Sequence, residues 1–153
     1  MQDAYHKYFE YFRVGDTIST GGRQMTEADA RLAVGVVGGS HPIHMDPYYC
    51  ATRPDVRTPI AQGSMILGYV DAGFYDWVCP GGEVVVIPDG YEKIRFIKPI
   101  HLGDVVTATF EIKELEHVSE RYGRVTAAVT VTNQDQVPVT FALEHFLVEK
   151  EGV

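Results

Sequence analysis

Apolar and polar positions change their pattern once along the chain, near residue 80. Before this point apolar residues recur at the spacing of helices, and after it they alternate as in strands. No repeat, low-complexity run or linker separates the two halves. The pattern therefore predicts a single domain that spans residues 1–153.

The first predicted helix begins after Thr26. Thr26 is a candidate N-cap, and Asp29 places an acidic group in the first turn three positions later. Gly38 and Gly39 end the helix, because glycine readily takes the left-handed conformation after a last turn. Between these ends, one apolar stripe recurs at every fourth position: Ala28, Leu32 and Val36.

A short helix and then a long one are predicted next. Asp46 is a second N-cap candidate, followed by Pro47 at the first helical position. Residues 63–78 are apolar on nearly every side and include only two charged residues. This segment predicts a helix of about 24 Å. An apolar surface of this extent is typical of a helix that is buried nearly all round.

Five strand-like runs follow. Residues 84–87 form a short continuous apolar run, residues 91–98 alternate, and three long runs are rich in β-branched residues, at 105–115, 125–132 and 139–148. Turns containing Gly, Asp or Asn separate the later runs, so these predict an antiparallel meander. The economical assembly is a curved antiparallel sheet wrapped around the long central helix. That α+β architecture is the hot-dog fold. The other face of such a sheet commonly needs a second subunit, so we expect a homodimer or a higher homo-oligomer.

Composition and charge limit the classes of molecule that the protein is expected to bind and the cellular compartment in which it is expected. The 153 residues include 45% apolar and 22% charged residues, values typical of a globular domain. A formal net charge of −8 repels phosphate backbones, so no nucleic-acid partner is expected. No apolar run is long enough for a membrane span, and the N-terminal residues are unlike a signal peptide. Cys50 and Cys79 are expected to be reduced thiols in a cytoplasmic protein.

Four segments of the chain contain recognisable motifs. Residues 12–16 read F-R-V-G-D, residues 26–29 read T-E-A-D, residues 61–65 read A-Q-G-S-M, and residues 94–104 read I-R-F-I-K-P-I-H-L-G-D. Together these motifs resemble those of the MaoC-like, or R-specific, enoyl-CoA hydratases. The resemblance extends from about Phe12 to Val148. It implies a hot-dog fold and a lyase of the hydratase or dehydratase type.

A fifth segment resembles the hydratase motif itself, with two departures. The family reads G-D-x-N-P-I-H, and residues 38–44 here read G-G-S-H-P-I-H, continued by Met45 and Asp46. Gly39 stands where the family has its catalytic Asp, and His41 stands where it has Asn. One half of the pair that holds and deprotonates water in the family is therefore missing.

The resemblance implies a role for each candidate site residue. His44 would be the acid/base, the Gly63 N–H the oxyanion donor, and His41 or Ser40 the group that holds water. The predicted substrate-binding residues are Gly39, Asp46, Gln62 and Ser64. The substrate would be a 2-enoyl or 3-hydroxyacyl thioester of CoA or a carrier protein. No metal or other cofactor is implied, because the thioester itself acidifies the α proton.

Each of these residues also has a purely structural interpretation. His44 could cap or pack a turn, and Gly63 could serve only close packing. Asp46 is better explained as an N-cap, and His41 as a polar loop residue. The spacing H-x-x-H-x-D over residues 41–46 is a weak metal motif, and a structural role is favoured there. Five basic residues could contact CoA phosphates or be solvated: Arg53, Arg57, Lys93, Arg95 and Lys98.

Three functions outside simple hydration stay open at this point. The chemistry could be a related addition or elimination in a specialised pathway. The chain could instead be a non-catalytic, acyl-thioester-binding subunit of a hetero-oligomer, which the Gly at position 39 favours. A hot-dog thioesterase is the third alternative. That reaction calls for a carboxylate near the central helix, and Asp71 is the internal candidate.

Overall fold

The computed structural model describes residues 7–153. Residues 1–6 lie outside the described residues. They include the start of the N-terminal segment that the sequence analysis compared with a signal peptide. Three α-helices are present: α1 (Glu27–Val37), α2 (Pro47–Ala51) and α3 (Gly63–Val78). The strands are β1 (Thr17–Ser19), β2 (Arg23–Gln24), β3 (Val86–Phe96), β4 (Val105–His117), β5 (Tyr122–Thr132) and β6 (Pro138–Glu149). Two one-turn 3-10 helices lie at Phe9–Tyr11 and Pro42–His44.

The main sheet has the strand order β1-β4-β5-β6-β3, and β2 adds to β4. Neighbouring strands are antiparallel throughout. Strands β4, β5 and β6 form the predicted meander. Strand β3 does not continue it, because the chain crosses over and pairs β3 with β6 at the far edge. The two short strands β1 and β2 lack the length and alternation that would have predicted them.

The two predicted strands over residues 84–98 are one strand in the structure. Strand β3 runs through the interruption at Pro88–Gly90. Its pairing with β6 shifts between Pro88 and Gly90 and again between Glu92 and Arg95. These β-bulges absorb the residues that break the apolar alternation, so separate strands were the wrong interpretation.

Helix α3 lies against the inner face of the sheet and fills the core. Its buried residues recur every four positions: Ile66, Val70, Phe74 and Val78. The ring of Phe74 stacks on Phe146 of β6 with centroids 3.7 Å apart, and it also contacts Phe110 of β4. This aromatic contact joins helix and sheet, as the wrapped-helix prediction requires.

The prediction that α3 is buried on nearly every side is wrong. Its outward face, formed by Ser64, Gly68, Ala72 and Asp76, is exposed. The sheet encloses only one side of the helix, and small residues on the other side leave it open. The prediction for helix α1 fails in a similar way. Leu32 and Val36, which belong to its predicted apolar stripe, are 68% and 75% exposed, and Ala30 is the buried residue of the helix. The core is already filled by α3, so α1 lies outside it.

The predicted helix ends are confirmed. Thr26 and Asp29 form a reciprocal capping box at the start of α1, and Gly38 ends that helix with φ of 80°. Asp46 caps α2 by accepting hydrogen bonds from the N–H groups of Tyr48 and Tyr49. Both caps fix the loop between α1 and α2, which carries the candidate site residues.

Candidate active site

The loop between α1 and α2 begins with two glycines in the left-handed region. Gly38 and Gly39 have φ of 80° and 77°. The chain then enters the 3-10 helix Pro42–His44, where Nδ1 of His41 accepts from the N–H of Ile43 at 3.2 Å. Proline restricts the start of this turn. His44 therefore lies in a short turn whose two ends are both fixed by hydrogen bonds.

His44 is anchored through one ring nitrogen. Nδ1 lies 2.8 Å from the carbonyl oxygen of Ile60. A carbonyl only accepts, so Nδ1 carries the proton and neutral His44 keeps Nε2 free as a proton acceptor. Ile60 is itself fixed, because its N–H donates to the carbonyl of Ile43 at 3.0 Å. The following N–H, of Ala61, donates to Ile100 at 2.8 Å.

Gly63 begins α3 two residues beyond Ala61. Its N–H belongs to the first helical turn, where amide groups lack a partner within the helix and the helix dipole is positive. Across residues 7–153 this N–H has no hydrogen-bond partner, and Gln62 provides no side-chain cap to the helix. A Cβ at position 63 would stand 2.5 Å from Cζ of Phe96. A side chain at position 63 would therefore have to displace the Phe96 ring, which is 54% exposed.

His44 and Gly63 line the same cavity. Its volume is about 320 Å³. The other lining residues are Ile60, Ala61, Ile66, Phe96, Ile97, Lys98, Pro99, Ile100 and Thr140. The lining is mostly apolar, and His44 contributes the one imidazole among its side chains. The cavity thus combines a proton acceptor, an oriented N–H donor and apolar walls.

Gln62 ties the loop to the start of α3. Its amide nitrogen donates to the carbonyls of Gly38 and Gly39, at 3.0 and 2.9 Å. These two bonds fix the orientation of the amide group, because only the NH₂ end can donate. The oxygen Oε1 is left buried without a hydrogen-bond partner. An ideal Cβ at Gly39 would lie 3.0 Å from Nε2, so the Gln62 amide lies where a side chain at position 39 would point.

The remaining predicted site residues lie outside the cavity lining. His41 and Ser40 are exposed on the loop, and the His41 ring packs edge-on against Tyr49 with centroids 5.8 Å apart. Asp46 is occupied as the cap of α2. Ser64 points to the exposed side of α3.

Two cavity residues, Phe96 and Thr140, were assigned no role from the sequence. Phe96 comes from the end of β3, and Lys98, shortly after it, is the one of the five basic candidates that lines the cavity. Thr140 comes from β6, is 2% exposed, and its hydroxyl has no hydrogen-bond partner. A signal was available for Thr140, because it shares the inward-facing positions of β6 with Phe146 and is polar.

Asp71, the carboxylate considered for thioester hydrolysis, lies two turns along α3 from Gly63 and outside the cavity lining. Its Oδ1 accepts a hydrogen bond from the hydroxyl of Tyr91. Within residues 7–153, no three His, Cys, Asp or Glu side chains converge as a group that could hold a metal ion. In the same part of the chain, no helix is both long and apolar enough to cross a membrane.

Comparison with known protein families gives a match over most of the chain. The family model described as a MaoC like domain matches residues 12–135. An (R)-specific enoyl-CoA hydratase from Rhodospirillum rubrum is 28% identical over 108 residues, covering 71% of this chain and 71% of that protein. The 3-hydroxyacyl-thioester dehydratase Z of Mycobacterium tuberculosis is 30% identical over 108 residues, covering 71% of this chain and 70% of that protein.

Solved structures agree on the architecture. A conserved hypothetical protein from Mycobacterium tuberculosis, described as having a double hot-dog fold, superimposes with a TM-score of 0.78. The match covers 95% of this chain and 44% of that one, at 17% sequence identity. Identity at this level shows the fold alone, and it confirms the predicted hot-dog architecture.

Proposed function

The chain belongs to the family of MaoC-like domains, and we propose that it adds water to a 2-enoyl thioester or eliminates water from a 3-hydroxyacyl thioester. One observation carries this proposal. His44, with Nδ1 fixed on the Ile60 carbonyl, faces the same cavity as Gly63 at the start of α3. The arrangement pairs a proton acceptor with an N–H donor, which are the two groups that thioester hydration requires.

In the hydration direction, Nε2 of His44 takes a proton from water as the water oxygen bonds to the β carbon. The π electrons of the α–β double bond move to the α carbon and the thioester oxygen. The Gly63 N–H stabilises the negative charge on that oxygen. The His44 imidazolium then returns the proton to the α carbon, which gives the 3-hydroxyacyl thioester and regenerates neutral His44.

Gln62 is proposed as the positioning residue that replaces part of the missing carboxylate. Its amide nitrogen holds the Gly38–Gly39 turn, so the loop carrying His44 keeps its place beside Gly63. The atom nearest to the position of a side chain at Gly39 is the Gln62 nitrogen, at 3.0 Å, so the role proposed for Gln62 is to position the loop and not to accept a proton. This role is assigned in preference to His41, whose Nδ1 already caps the turn, and to Ser40, which is exposed.

The thioester carrier is proposed to approach past Lys98. This residue lines the cavity from an exposed position and offers a positive charge to a phosphate. CoA and a carrier-protein phosphopantetheine share that phosphate chemistry. Comparing turnover of the same acyl group on CoA and on a carrier protein separates the two.

The test is a hydration assay of the purified protein against a panel of 2-enoyl-CoA thioesters, with His44→Ala and His41→Ala as a matched pair. Loss of a positioned general base should lower kcat by about 10²- to 10⁴-fold in His44→Ala. His41→Ala removes only a turn cap and should change kcat by far less. Equal losses in both folded variants would contradict the assignment of His44.

A wild-type protein with no hydration or dehydration activity on any thioester would instead favour the non-catalytic alternative. Thioester binding that survives in His44→Ala would then mark the chain as an acyl-binding subunit. Release of free thiol, monitored in the same assay, separates thioester hydrolysis from hydration.

A further inference from the structure

Three acidic or phenolic side chains from three different elements meet between the central helix and the sheet, where Glu144 is fully buried and the other two are partly buried. Asp71 lies on α3, Tyr91 on β3 and Glu144 on β6, and we call this group the carboxyl cluster. The Tyr91 hydroxyl donates to Oδ1 of Asp71. Glu144 is the direct cross-strand neighbour of Tyr91. No part of the hydration mechanism above uses these residues.

Glu144 is a buried acid whose neighbours are other acidic or phenolic groups. It is 0% exposed, and neither carboxyl oxygen has a partner at good hydrogen-bond geometry, although Asp71 and Tyr91 lie close enough to shift its pKa. Burial is the main cause that raises its pKa to about 9, and Asp71 raises it further. Within residues 7–153, the interactions that shift the pKa values of Tyr75, Tyr91 and Glu144 involve no Lys, Arg or His. An uncompensated acid in a core is costly, so its presence calls for a function.

The carboxyl cluster lies further along the same helix and strands that form the candidate active site. At one end, Gly63 of α3 packs against Phe96 of β3. At the other, Asp71 of α3 bonds to Tyr91 of β3. The eight residues from Gly63 to Asp71 correspond to about 12 Å along the helix. A ligand with its thioester at Gly63 and its acyl chain along α3 would therefore extend towards the cluster.

Strand β6 contributes polar groups along the same path. Thr140 lines the cavity, and Glu144 follows four residues later on the same inward face of the strand. Both are buried, and the side-chain oxygens of both lack hydrogen-bond partners. Inward positions of a strand that packs on a core helix are ordinarily apolar. The two residues are the polar exceptions among the inward positions of β6, and Thr140 is the one of them that lines the cavity.

We propose that the carboxyl cluster binds the far end of the acyl chain and selects chains that end in a primary amine. This inference rests on the proposed function, because it takes the thioester to lie at Gly63. A protonated amine brings three hydrogen-bond donors and a positive charge. It would satisfy Glu144 and neutralise the acid pair. A methyl end leaves the carboxyl oxygens unpaired, and a carboxylate end adds a third acid to them.

Binding of an amine also predicts a movement of protons. The titratable groups that face Glu144 are Asp71 and Tyr75 on α3 and Tyr91 on β3, and its neighbour on β5 is Ala127. Glu144 holds its proton at neutral pH because its pKa is about 9. A cation placed beside it favours the ionised form. Binding of an amine-ended chain should therefore release a proton, whereas binding of an alkyl chain should not.

The experiment is isothermal titration calorimetry of the full chain with saturated acyl-CoA thioesters, from butanoyl to octanoyl, that end in amino, hydroxyl, methyl or carboxylate groups. Saturated chains are not hydrated, so the result does not depend on turnover. The amino-ended thioester should bind at least about tenfold more tightly than its methyl counterpart of equal length, in line with a charge-assisted hydrogen bond. Repeating the titration in buffers of different ionisation enthalpy measures the proton released.

Two variants of β6 complete the design. Glu144→Gln should remove both the amine preference and the proton release. Glu149→Gln is the matched control, because Glu149 is also buried on β6 but bonds to Arg121 away from the cluster. Methyl-ended chains that bind wild type as tightly as amino-ended chains would overturn the proposal. So would an amine preference that survives in folded Glu144→Gln. The comparison of amino-ended with methyl-ended thioesters on the wild-type protein tests the proposal even if Glu144→Gln does not fold. Because the titration uses saturated thioesters, its result can be interpreted even if the protein shows no hydration activity.

Discussion

At the residue scale, two glycines of the candidate site differ in what constrains them. Gly63 lies in ordinary helical backbone, and a side chain there would have to displace the Phe96 ring. Gly39 has φ of 77°, a conformation that most side chains disfavour. Its substitution for the family's acid therefore changes both the backbone freedom and the chemistry of the loop.

Restoring an acid at position 39 tests whether hydration is the chemistry of this site. Asp is one of the residues that tolerate the left-handed region, but a Cβ there would lie 3.0 Å from Nε2 of Gln62, so the Gln62 side chain has to shift by a few tenths of an ångström. We expect Gly39→Asp to raise enoyl-CoA hydration by about tenfold or more, because a positioned general base contributes about 10²- to 10⁴-fold.

Gly39→Asn is the control for that gain, since it has nearly the same shape and backbone preference but no ionisable carboxyl. Rates are compared only after both variants show wild-type-like melting curves. A folded Asp variant no faster than the Asn variant would count against hydration and for a different reaction.

At the scale of the element, helix α3 buries one face against the sheet and exposes the opposite face. Val70 is 1% exposed beneath the sheet, whereas Ala72 lies on the open face half a turn away. Val70→Asp should lower the free energy of unfolding by several kcal/mol, because an unpaired charge in the core is costly. Ala72→Asp should cost about 0.5 kcal/mol, the difference in helix propensity.

Urea unfolding of both variants measures these changes in the free energy of unfolding. Similar losses in the two variants would mean that the outer face of α3 is covered in solution. In that case a second subunit would have to lie over Ala72.

At the scale of the whole molecule, the buried Glu144 makes stability depend on pH. Its pKa is about 9 in the folded protein against 4.5 for the ordinary group. Between these values the folded state keeps a proton that the unfolded chain has released, so the free energy of unfolding falls as pH rises. The slope is at most about 1.4 kcal/mol per pH unit. The lowered pKa values of Asp16 and Asp29 act at more acidic pH, outside this window.

Denaturant unfolding from about pH 5 to 9 checks this slope. Glu144→Gln removes the titrating group and should flatten the dependence, whereas Glu149→Gln should keep it. Parallel curves for wild type and Glu144→Gln would show that Glu144 does not hold its proton across this range.

The exposed apolar surface of the whole chain leads to an expectation about assembly. Leu32, Val36 and Val37 form an apolar patch on α1 that faces away from this chain's core. Exposed patches of this kind are typical of interfaces between subunits. We expect light scattering at micromolar concentration to give at least twice the mass of one chain, and Leu32→Glu combined with Val36→Glu to reduce it. A monomeric wild-type protein would contradict this expectation.

The sequence by itself determined the three helices and the meander of β4, β5 and β6, and it offered two candidates for the site. Helix caps at Thr26 and Asp46 and the bounds of α3 follow from local hydrogen bonding and turn chemistry, which involve only neighbouring residues. The alternation of β4, β5 and β6 likewise predicted a sheet around one helix. The resemblance named His44 and Gly63 because their motifs are contiguous in the chain.

Only the tertiary structure decided what depends on contacts between distant segments. The pairing of β3 with β6, the orientation of His44 by Ile60 and the tie from Gln62 to Gly39 join residues that no local pattern relates. The periodicity of apolar residues also could not show which apolar stripe lies in the core. Burial was therefore predicted wrongly for the stripe of α1 and for the outer face of α3. Glu144 illustrates the same limit: its alternation predicts an inward position, but the fold alone places it beside Asp71 and Tyr91, where burial raises its pKa.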